Sequence, residues 1–355
     1  MEHPPDVLSF FSSVTLCGLA NSSSSSESYS EPLTLVRNQS FPAKRYIWCR
    51  DECTTETDSE WDSLPFSIGK AHADFELLEW LGEGRISITY AARLICLRQS
   101  PGGETLPLSS LLCILPDEFC VKLAKVEFIR SLAREAWFYE QIAKTEGCQG
   151  IITPLCFGFF TTSLPSTLQI RAWSEIKCVP HKDDDELVYD RFYDDKAYSR
   201  AFADDQQTCR DKCPWTLDRW IARTDRSPIV GILITERLGE HFPSGSGINK
   251  LSKESEAEIL DILDDLSSAG VLHGDVKFNN FLCPASSSSP PSCSFSSSSF
   301  GAICPRHSRI HAWRVIDFDR AVKWGKSIPR DVEYFTDVQR VDFECGFFWG
   351  GDWRS

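Results

Sequence analysis

The sequence predicts an α+β protein in which most strands precede most helices. Apolar runs and period-two alternation, both typical of strands, recur along the chain up to Glu236. One amphipathic helix, Ile129–Ala143, interrupts these segments, and a second, Ser252–Ala269, follows them. Because strands and helices do not alternate regularly, the pattern favours α+β over a doubly wound parallel sheet.

The composition is that of a globular protein with one large domain or two medium ones. Of the 355 residues, 42% are hydrophobic and 25% are charged, which excludes collagen, a coiled coil and a wholly disordered chain. The formal net charge of −14 repels phosphate groups, so we expect neither nucleic-acid binding nor adhesion to a membrane. The 15 cysteines lack a framework spacing, which favours reduced thiols in the cytoplasm or nucleus. The pairs Cys49/Cys53 and Cys209/Cys213 have no second ligand pair at zinc-site spacing.

Each element is predicted from its own pattern, in chain order. The predicted strands are Phe75–Leu81, Thr89–Leu97, Phe119–Leu123, Ile151–Phe160, Leu168–Trp173 and Ile229–Glu236. In the second helix, Ser252 is the expected N-cap and Gly270 the expected terminator. The serine-rich segments Asn21–Glu31 and Ala285–Phe300 contain too few apolar residues to offset their ordering entropy. The acidic segment His181–Asp195 is predicted to be a solvated loop.

Two glycines stand directly after the first predicted strand, in the segment Leu81–Ala92. Gly82 and Gly84 would let backbone N–H groups approach phosphate oxygens closely. A tight hairpin turn explains the same two glycines equally well.

A lysine, Lys122, lies inside the apolar strand Phe119–Leu123. A lysine is expensive to bury unless it has an anionic partner. Glu135 on the following helix can supply that carboxylate, and Glu140 is the competing candidate. If these residues have no functional role, the sequence predicts that the lysine faces solvent on an edge strand and that the glutamates are exposed charges on the helix.

The strongest cluster of polar residues is the loop between Val271 and Leu282. Asp275 can orient and deprotonate a hydroxyl, Lys277 can neutralise a transferring phosphoryl group, and Asn280 can bind magnesium through its side-chain oxygen. Further on, an apolar strand ends at Asp317, whose carboxylate is a natural second magnesium ligand. Considered without the preceding loop, Asp317 would be interpreted as a cap at the end of the strand.

In this order the segments resemble the protein-kinase-like superfamily. Leu81–Ala92 looks like the glycine-rich loop, Lys122 like the lysine of the Val-Ala-Ile-Lys strand, and Glu135 like its helix partner. His273–Asn280 is similar to the His-Arg-Asp catalytic loop, and Asp317–Asp319 to the Asp-Phe-Gly segment.

The resemblance also implies an adenine hinge and a domain layout. Thr235 would be the gatekeeper, while Glu236 and Leu238 would offer backbone groups to adenine. The implied fold has two lobes with a shortened C-terminal lobe. The expected layout is a partly disordered N-terminal extension at 1–73 and a kinase-like domain at 74–355, with an N-lobe at about 74–236, a C-lobe at about 237–355 and a disordered insertion at about 285–300.

The function implied by the resemblance is ATP- and magnesium-dependent transfer of the γ-phosphate to a hydroxyl of a protein or a small molecule. A divergent serine/threonine protein kinase is the first interpretation. The implied site residues are Asp275 and Lys277 for catalysis, Asn280 and Asp317 for magnesium, and Gly82, Gly84, Lys122, Glu135, Glu236 and Leu238 for the nucleotide.

Several departures from the kinase pattern keep two alternatives open. Gly274 replaces the usual arginine and Asp319 the usual glycine, as in aminoglycoside phosphotransferases and choline kinases. Few residues follow Asp319 and no Ala-Pro-Glu motif is present, so we do not expect the helices that bind a peptide substrate. The alternatives are a pseudokinase that acts as a nucleotide-binding or scaffold protein, and a small-molecule kinase. The chain also resembles divergent serine-rich kinase-like proteins of fungi.

Overall fold

The computed structural model describes residues 8, 10–22, 30–38, 40, 69, 71–84, 86–107, 115–116, 118–125, 128–175, 228–243, 252–285, 302–323 and 332–344. Its strands are β1 (Phe11–Ser22), β2 (Ser30–Arg37), β3 (Ala71–Glu83), β4 (Ser87–Arg98), β5 (Glu118–Ala124), β6 (Cys156–Ser163), β7 (Leu168–Ile170), β8 (Ile229–Glu236), β9 (Leu238–His241), β10 (Val271–Leu272), β11 (Phe281–Pro284), β12 (Arg314–Val315) and β13 (Val322–Lys323). Its α-helices are α1 (Ile129–Ala143), α2 (Arg171–Glu175), α3 (Lys253–Ser268) and α4 (Val332–Phe343).

Seven strands close into a barrel. Their order is β2-β6-β8-β5-β4-β3-β1, and β1 pairs back with β2. Neighbouring strands are antiparallel, except that β1 runs parallel to β3. The short strand β7 pairs with the last residues of β1. Closure leaves no open edge in the ring of strands, because every strand has a neighbour on each side.

Aromatic side chains fill the interior of the barrel. Phe11, Phe75, Phe119 and Phe157 are fully buried and form a ring of contacts. The ring centroid of Phe75 lies 5.8 Å from that of Phe11 and 4.9 Å from that of Phe119. The centroid of Phe157 lies 5.0 Å from that of Phe119 and 5.8 Å from that of Phe11. Aromatic pairs at such separations contribute about 0.5–1.5 kcal/mol each beyond the burial of their area.

Helix α1 packs on the outer face of the barrel. Strand β5 shows why, because its side chains alternate between the two faces of the sheet. Val121 and Leu123 belong to the barrel core, whereas Lys122 contacts Glu135 on α1. On β8, Gly231 leaves room for the helix, since an added Cβ would lie 3.0 Å from the Ile129 side chain. The outer face of β5 and β8 therefore carries both α1 and the buried lysine.

The C-terminal residues form small sheets and two helices beside the barrel. β9, β11 and β12 form one sheet, and β10 pairs with β13. Helix α4 is fastened to α3 by Gln339, which donates to Leu263 O at 2.9 Å and to Ser267 Oγ at 2.7 Å. The same amide accepts from the backbone N–H of His273 at 3.1 Å. Helix α4 thereby supports the loop that follows β10.

Most sequence-predicted elements are present, and two predicted strands were too long. The helix Ile129–Ala143 has the expected bounds, and Ser252 caps α3 by accepting from the Ser255 N–H. The strand predicted for Ile151–Phe160 begins only at Cys156, because a turn precedes it in which Ile152 N bonds to Cys148 O at 2.9 Å. The strand predicted for Leu168–Trp173 ends at Ile170, where its pairing with β1 ends, and α2 follows.

The expectation of a separate N-terminal extension at 1–73 was wrong for the part that the structure describes. β1 and β2 complete the barrel, and Phe11, Val14 and Leu16 are fully buried in its core. The serines between these strands masked their apolar alternation in the sequence. Residues 23–29, 181–195 and 286–300, which the sequence analysis predicted to be disordered or solvated, lie outside the described residues. Helix α4 is also an addition to the predicted fold, which had no helix after Asp319.

Candidate active site

The centre of the candidate site is a buried lysine between two carboxylates. Lys122 Nζ lies 2.6 Å from Glu135 Oε1 and 3.3 Å from Asp317 Oδ1. Glu135 is fully buried and Lys122 is 8% exposed. The expected pairing of Lys122 with Glu135 is therefore present. The competing candidate, Glu140, accepts a hydrogen bond from Ser40 instead.

The position of Lys122 in the sheet explains why this side chain is buried. In the strand register it lies between Thr89 of β4 and Leu233 of β8. A lysine on a central strand has no route to solvent through the sheet, so its charge has to be met by groups on α1 and beyond β12. The edge-strand alternative is wrong because β5 has a paired strand on each side.

The pKa shifts follow from burial and from the sharing of one cation. Burial alone would lower the pKa of Lys122, but Glu135 and Asp317 raise it well above its usual value. Burial raises the pKa of Glu135 to about 7, although Lys122 opposes this shift. Burial also acts to raise the pKa of Asp317, but the attraction of Lys122 outweighs it and the pKa is lowered. The lysine thus stays charged and Asp317 stays ionised.

Asp317 has an unusual backbone conformation. Its φ and ψ are 70° and 68°, the left-handed region. Non-glycine residues rarely adopt this conformation, aspartate being among the more tolerant, and such outliers concentrate at functional sites. The next residue, Phe318, is buried with its ring centroid 5.1 Å from that of Tyr139 on α1 and 5.2 Å from that of His273. These contacts hold the carboxylate of Asp317 towards Lys122.

The loop after β10 brings three predicted residues together. Lys277 Nζ lies 2.7 Å from Asp275 Oδ2, and Asn280 donates its amide to the backbone oxygen of Asp275 at 2.8 Å. The loop is joined to the strand before Asp317, since Ile316 N donates to Asn280 O at 2.9 Å. Asp275, Lys277 and Asn280 are therefore held in one unit next to the residue that contacts Lys122.

His273 fixes the shape of this loop. Its Nδ1 accepts from the backbone N–H of Asp275 at 3.2 Å, so Nε2 carries the proton that is donated to Ile316 O at 2.8 Å. Burial lowers the pKa of this histidine, which keeps the ring neutral as these two bonds require. Gly274 adopts a φ of 73°. This conformation favours glycine, which gives a physical reason for the glycine at this position.

The glycine segment forms the hairpin between β3 and β4. The hairpin closes with a hydrogen bond from Gly84 N to Ser87 O at 2.9 Å. A Cβ added at Gly82 would meet nothing within 4 Å. The two glycines are therefore not there to relieve crowding within the protein, and they leave open space beside the hairpin.

The predicted hinge residues lie at the end of β8 and the start of β9. Glu236 is buried, its backbone N–H donates to Leu155 O at 2.8 Å, and its carboxylate accepts from Leu155 N at 3.1 Å. Burial raises the pKa of this carboxyl group. Leu238 is buried at the start of β9, and Thr235 is buried in β8. The N–H of Glu236 is engaged within the protein, so only its carbonyl and the groups of Leu238 remain candidates for adenine.

The residues that suit a divalent cation are Asp317 and Asn280. Carboxylate and amide oxygens are the ligands that Mg²⁺ prefers. The amide nitrogen of Asn280 is turned towards Asp275, which leaves the amide oxygen as its metal-binding atom. The donor set fits magnesium, and the hydrogen bond from Ile316 to Asn280 keeps the two ligands in neighbouring segments.

Comparisons with known proteins give a weak structural likeness. No model of a known protein family matches the chain, and no curated protein matches it. One similar solved structure is a crystal structure of a kinase domain, with a TM-score of 0.34 and 13% sequence identity. The match covers 72% of this chain and 54% of the other, so the chain spans about half the length of that kinase-domain chain. A likeness of this size does not establish a family.

The described residues contain no helix that is both long and apolar enough to cross a membrane.

Proposed function

We propose that the protein is a kinase-like phosphotransferase that uses ATP and magnesium to phosphorylate a hydroxyl group. The observation that carries this proposal is the buried contact of Lys122 with both Glu135 and Asp317. A lysine held charged between two carboxylates, at the edge of a loop with a further aspartate, lysine and asparagine, suits the binding of an anionic nucleotide with a divalent cation.

Each residue has a distinct role in this proposal. Lys122, positioned by Glu135, binds the phosphates of the nucleotide. Asp317 and Asn280 hold magnesium, which when bound neutralises negative charge on the phosphates. The hairpin at Gly82 and Gly84 is assigned to cover the phosphates, and the open space beside it supports this role.

The chemical step is assigned to the loop after β10. Asp275 accepts the proton of the acceptor hydroxyl as the oxygen–phosphorus bond forms and the bond to the leaving diphosphate breaks. Lys277, 2.7 Å from Asp275, neutralises charge on the transferred group. Most of the rate enhancement comes from positioning and electrostatics, as is general for phosphoryl transfer.

Two chemically identical substitutions test this assignment. Asp275→Asn keeps the fold and the nucleotide affinity but lowers transfer by about 10²-fold or more, because an amide cannot accept the proton. Asp317→Asn instead weakens nucleotide binding in the presence of magnesium, because a ligand to the metal loses its charge. Transfer is measured at saturating magnesium and nucleotide, so that a binding defect is not mistaken for a chemical one.

A panel of protein and small-molecule acceptors, with hydrolysis of ATP as the acceptor-free assay, provides the readout. The matched control is Asp74→Asn on β3, since this carboxylate accepts from Arg98 and has no assigned role in the site. The control should transfer phosphate at the rate of the unsubstituted protein. Nucleotide binding without transfer or hydrolysis in the unsubstituted protein would favour a scaffold, and equal effects of Asp275→Asn and Asp317→Asn would refute their separate roles.

A further inference from the structure

Four potential metal ligands meet beside α3, in a cluster that has no part in the site described above. They are Asp265 on α3 and Cys304, His307 and His311 on the segment between β11 and β12. Each offers one ligand atom, and these atoms all lie within 4.8 Å of one another. The cluster brings together residues that are up to 46 positions apart, from 265 to 311.

Four of the separations between these atoms are close to those of a tetrahedral metal centre. Cys304 Sγ lies 3.2 Å from Asp265 Oδ2 and 3.5 Å from His307 Nδ1. Asp265 Oδ2 is also 3.4 Å from His307 Nδ1 and 3.9 Å from His311 Nε2. Ligand atoms at about 2.0–2.3 Å from a tetrahedral Zn²⁺ are separated by about 3.3–3.7 Å from one another.

His311 gives an independent indication that a ligand belongs here. Its side chain is fully buried, and neither ring nitrogen has a hydrogen-bond partner among the described residues. Buried polar atoms without partners are rare because they forfeit their hydration.

We propose that Asp265, Cys304, His307 and His311 bind one zinc ion in a structural site. One thiolate and one carboxylate balance the two positive charges of the ion, and two neutral imidazoles complete the set. Sulfur and imidazole nitrogen favour zinc over magnesium or calcium, which prefer oxygen ligands. Four ligands from the protein leave no open position, so the site is structural and not catalytic.

Charged side chains lie on the side of the cluster where zinc-bound histidines usually have second-shell partners. His307 Nε2, the nitrogen turned away from the cluster, lies 3.7 Å from an oxygen of Asp261 and 3.9 Å from one of Asp264. His311 Nδ1 lies 3.9 Å from Glu258 Oε1. The other oxygen of Asp265 lies 2.9 Å from Arg306 Nε. These carboxylates and the arginine therefore surround the four ligands at separations of 2.9–3.9 Å.

The proposed ion would fasten the segment 304–311 to α3. That segment connects β11, which follows Asn280, with β12, which leads to Asp317. The ion would therefore hold in place a connection between the two segments that carry the candidate magnesium ligands. Its presence does not depend on the proposed phosphotransferase activity.

The test is metal content and metal spectroscopy of the full-length protein. Protein purified without chelator and supplied with zinc should hold about one equivalent after dialysis, measured by elemental analysis. Cys304→Ser and His311→Ala should each lower zinc affinity by at least about tenfold. The matched control is Cys17→Ser, which changes an exposed cysteine of β1 and should retain the metal.

Cobalt substitution keeps the proposal falsifiable if a variant fails to fold. The unsubstituted protein with Co²⁺ should show thiolate-to-cobalt charge transfer and the intense visible bands of a tetrahedral centre. Absence of both in the unsubstituted protein, or zinc retained at unchanged affinity in Cys304→Ser and His311→Ala, would overturn the proposal. Equal loss of zinc from Cys17→Ser would overturn it as well, because the metal would then be bound through surface thiols.

Discussion

The two hydrophobic cores formed by the described residues bury different kinds of groups. Inside the barrel, the core consists of apolar side chains packed around four phenylalanines, Phe11, Phe75, Phe119 and Phe157. Outside it, the core between the barrel and α1 lies against Lys122 and its carboxylate partners. The same strand, β5, serves both, because its alternate residues face opposite sides.

The difference shows how the fold separates stability from chemistry. The interior of the barrel is mostly apolar, and its buried charged side chain Arg37 donates to the backbone oxygen of Phe157. The outer core holds a lysine between two carboxylates, an arrangement that is costly to desolvate and contributes little to stability by itself. The protein can bury Lys122 with its two carboxylate partners because the barrel supports the strand on which Lys122 lies.

The largest effect is expected from opening a cavity in the barrel. Phe11→Ala should lower the free energy of unfolding by about 3–5 kcal/mol, because a fully buried aromatic ring is lost from the core. Denaturation by urea measures the change. This substitution also tests whether β1 belongs to the barrel and not to a loose extension.

The control lies on the neighbouring strand. Val36 of β2 is 56% exposed, so Val36→Ala should change stability by no more than about 0.5 kcal/mol. If Phe11→Ala is as mild as Val36→Ala, the barrel does not include the N-terminal strand.

Removal of the buried lysine should have a somewhat smaller effect on stability. Lys122→Met leaves Glu135 and Asp317 without their shared cation and should cost about 3 kcal/mol at neutral pH. The double variant Lys122→Met/Glu135→Gln removes the fully buried carboxylate as well. It should recover part of that loss, with a coupling of about 1–3 kcal/mol.

The ion pair between Lys122 and Glu135 at 2.6 Å predicts that the two substitutions are energetically coupled. Strictly additive effects of Lys122→Met and Glu135→Gln on stability would contradict this prediction. The coupling free energy is measured by urea denaturation of the unsubstituted protein, both single variants and the double variant. Arg93→Met on β4 is the control, because its partner Glu76 is exposed and their ion pair should contribute little.

Taken over a single pH unit, the effect of pH on stability is the smallest of the three. Burial raises the pKa of Glu135 from 4.5 to about 7, so between these values the folded protein binds more protons than the unfolded chain. Stability from this group is therefore complete below pH 4.5 and decreases as the pH rises to about 7, by at most about 1.4 kcal/mol per pH unit. Glu135→Gln should lack this decrease.

The comparison is the difference in stability between the unsubstituted protein and Glu135→Gln at each pH, which cancels the titration of other groups. A difference that grows in favour of the unsubstituted protein with rising pH would have the wrong sign and would contradict the assigned pKa.

The outer core was more predictable from sequence than the barrel. A lysine in an apolar strand requires an anionic partner, and local rules reduced the candidates to Glu135 and Glu140, of which Glu135 makes the contact. The closure of the barrel depends on pairing between β1 and β3 and between β2 and β6, which are distant in sequence. Local patterns do not specify such pairing, and the serines of these strands resembled those of a disordered segment.

The metal cluster was missed for a related reason. Cys304, His307 and His311 form a Cys-x₂-His-x₃-His pattern that the sequence does contain. Its fourth member, Asp265, is on α3 and looks like an ordinary helix charge. Attention to histidines beside cysteines, and not to cysteine pairs alone, would have found three of the four ligands.

The central claim, that Lys122 and Asp317 form a nucleotide site, is tested most directly by calorimetric titration with ATP in the presence and absence of Mg²⁺. If these residues form a nucleotide site, the unsubstituted protein should bind ATP, and magnesium should increase its affinity for ATP. Asp317→Asn should lose most of the magnesium effect, and the Lys122→Met/Glu135→Gln variant should bind at least about tenfold more weakly, a change of about 1.4 kcal/mol. Absence of binding in the unsubstituted protein, or unchanged affinity in the folded double variant, would contradict the claim.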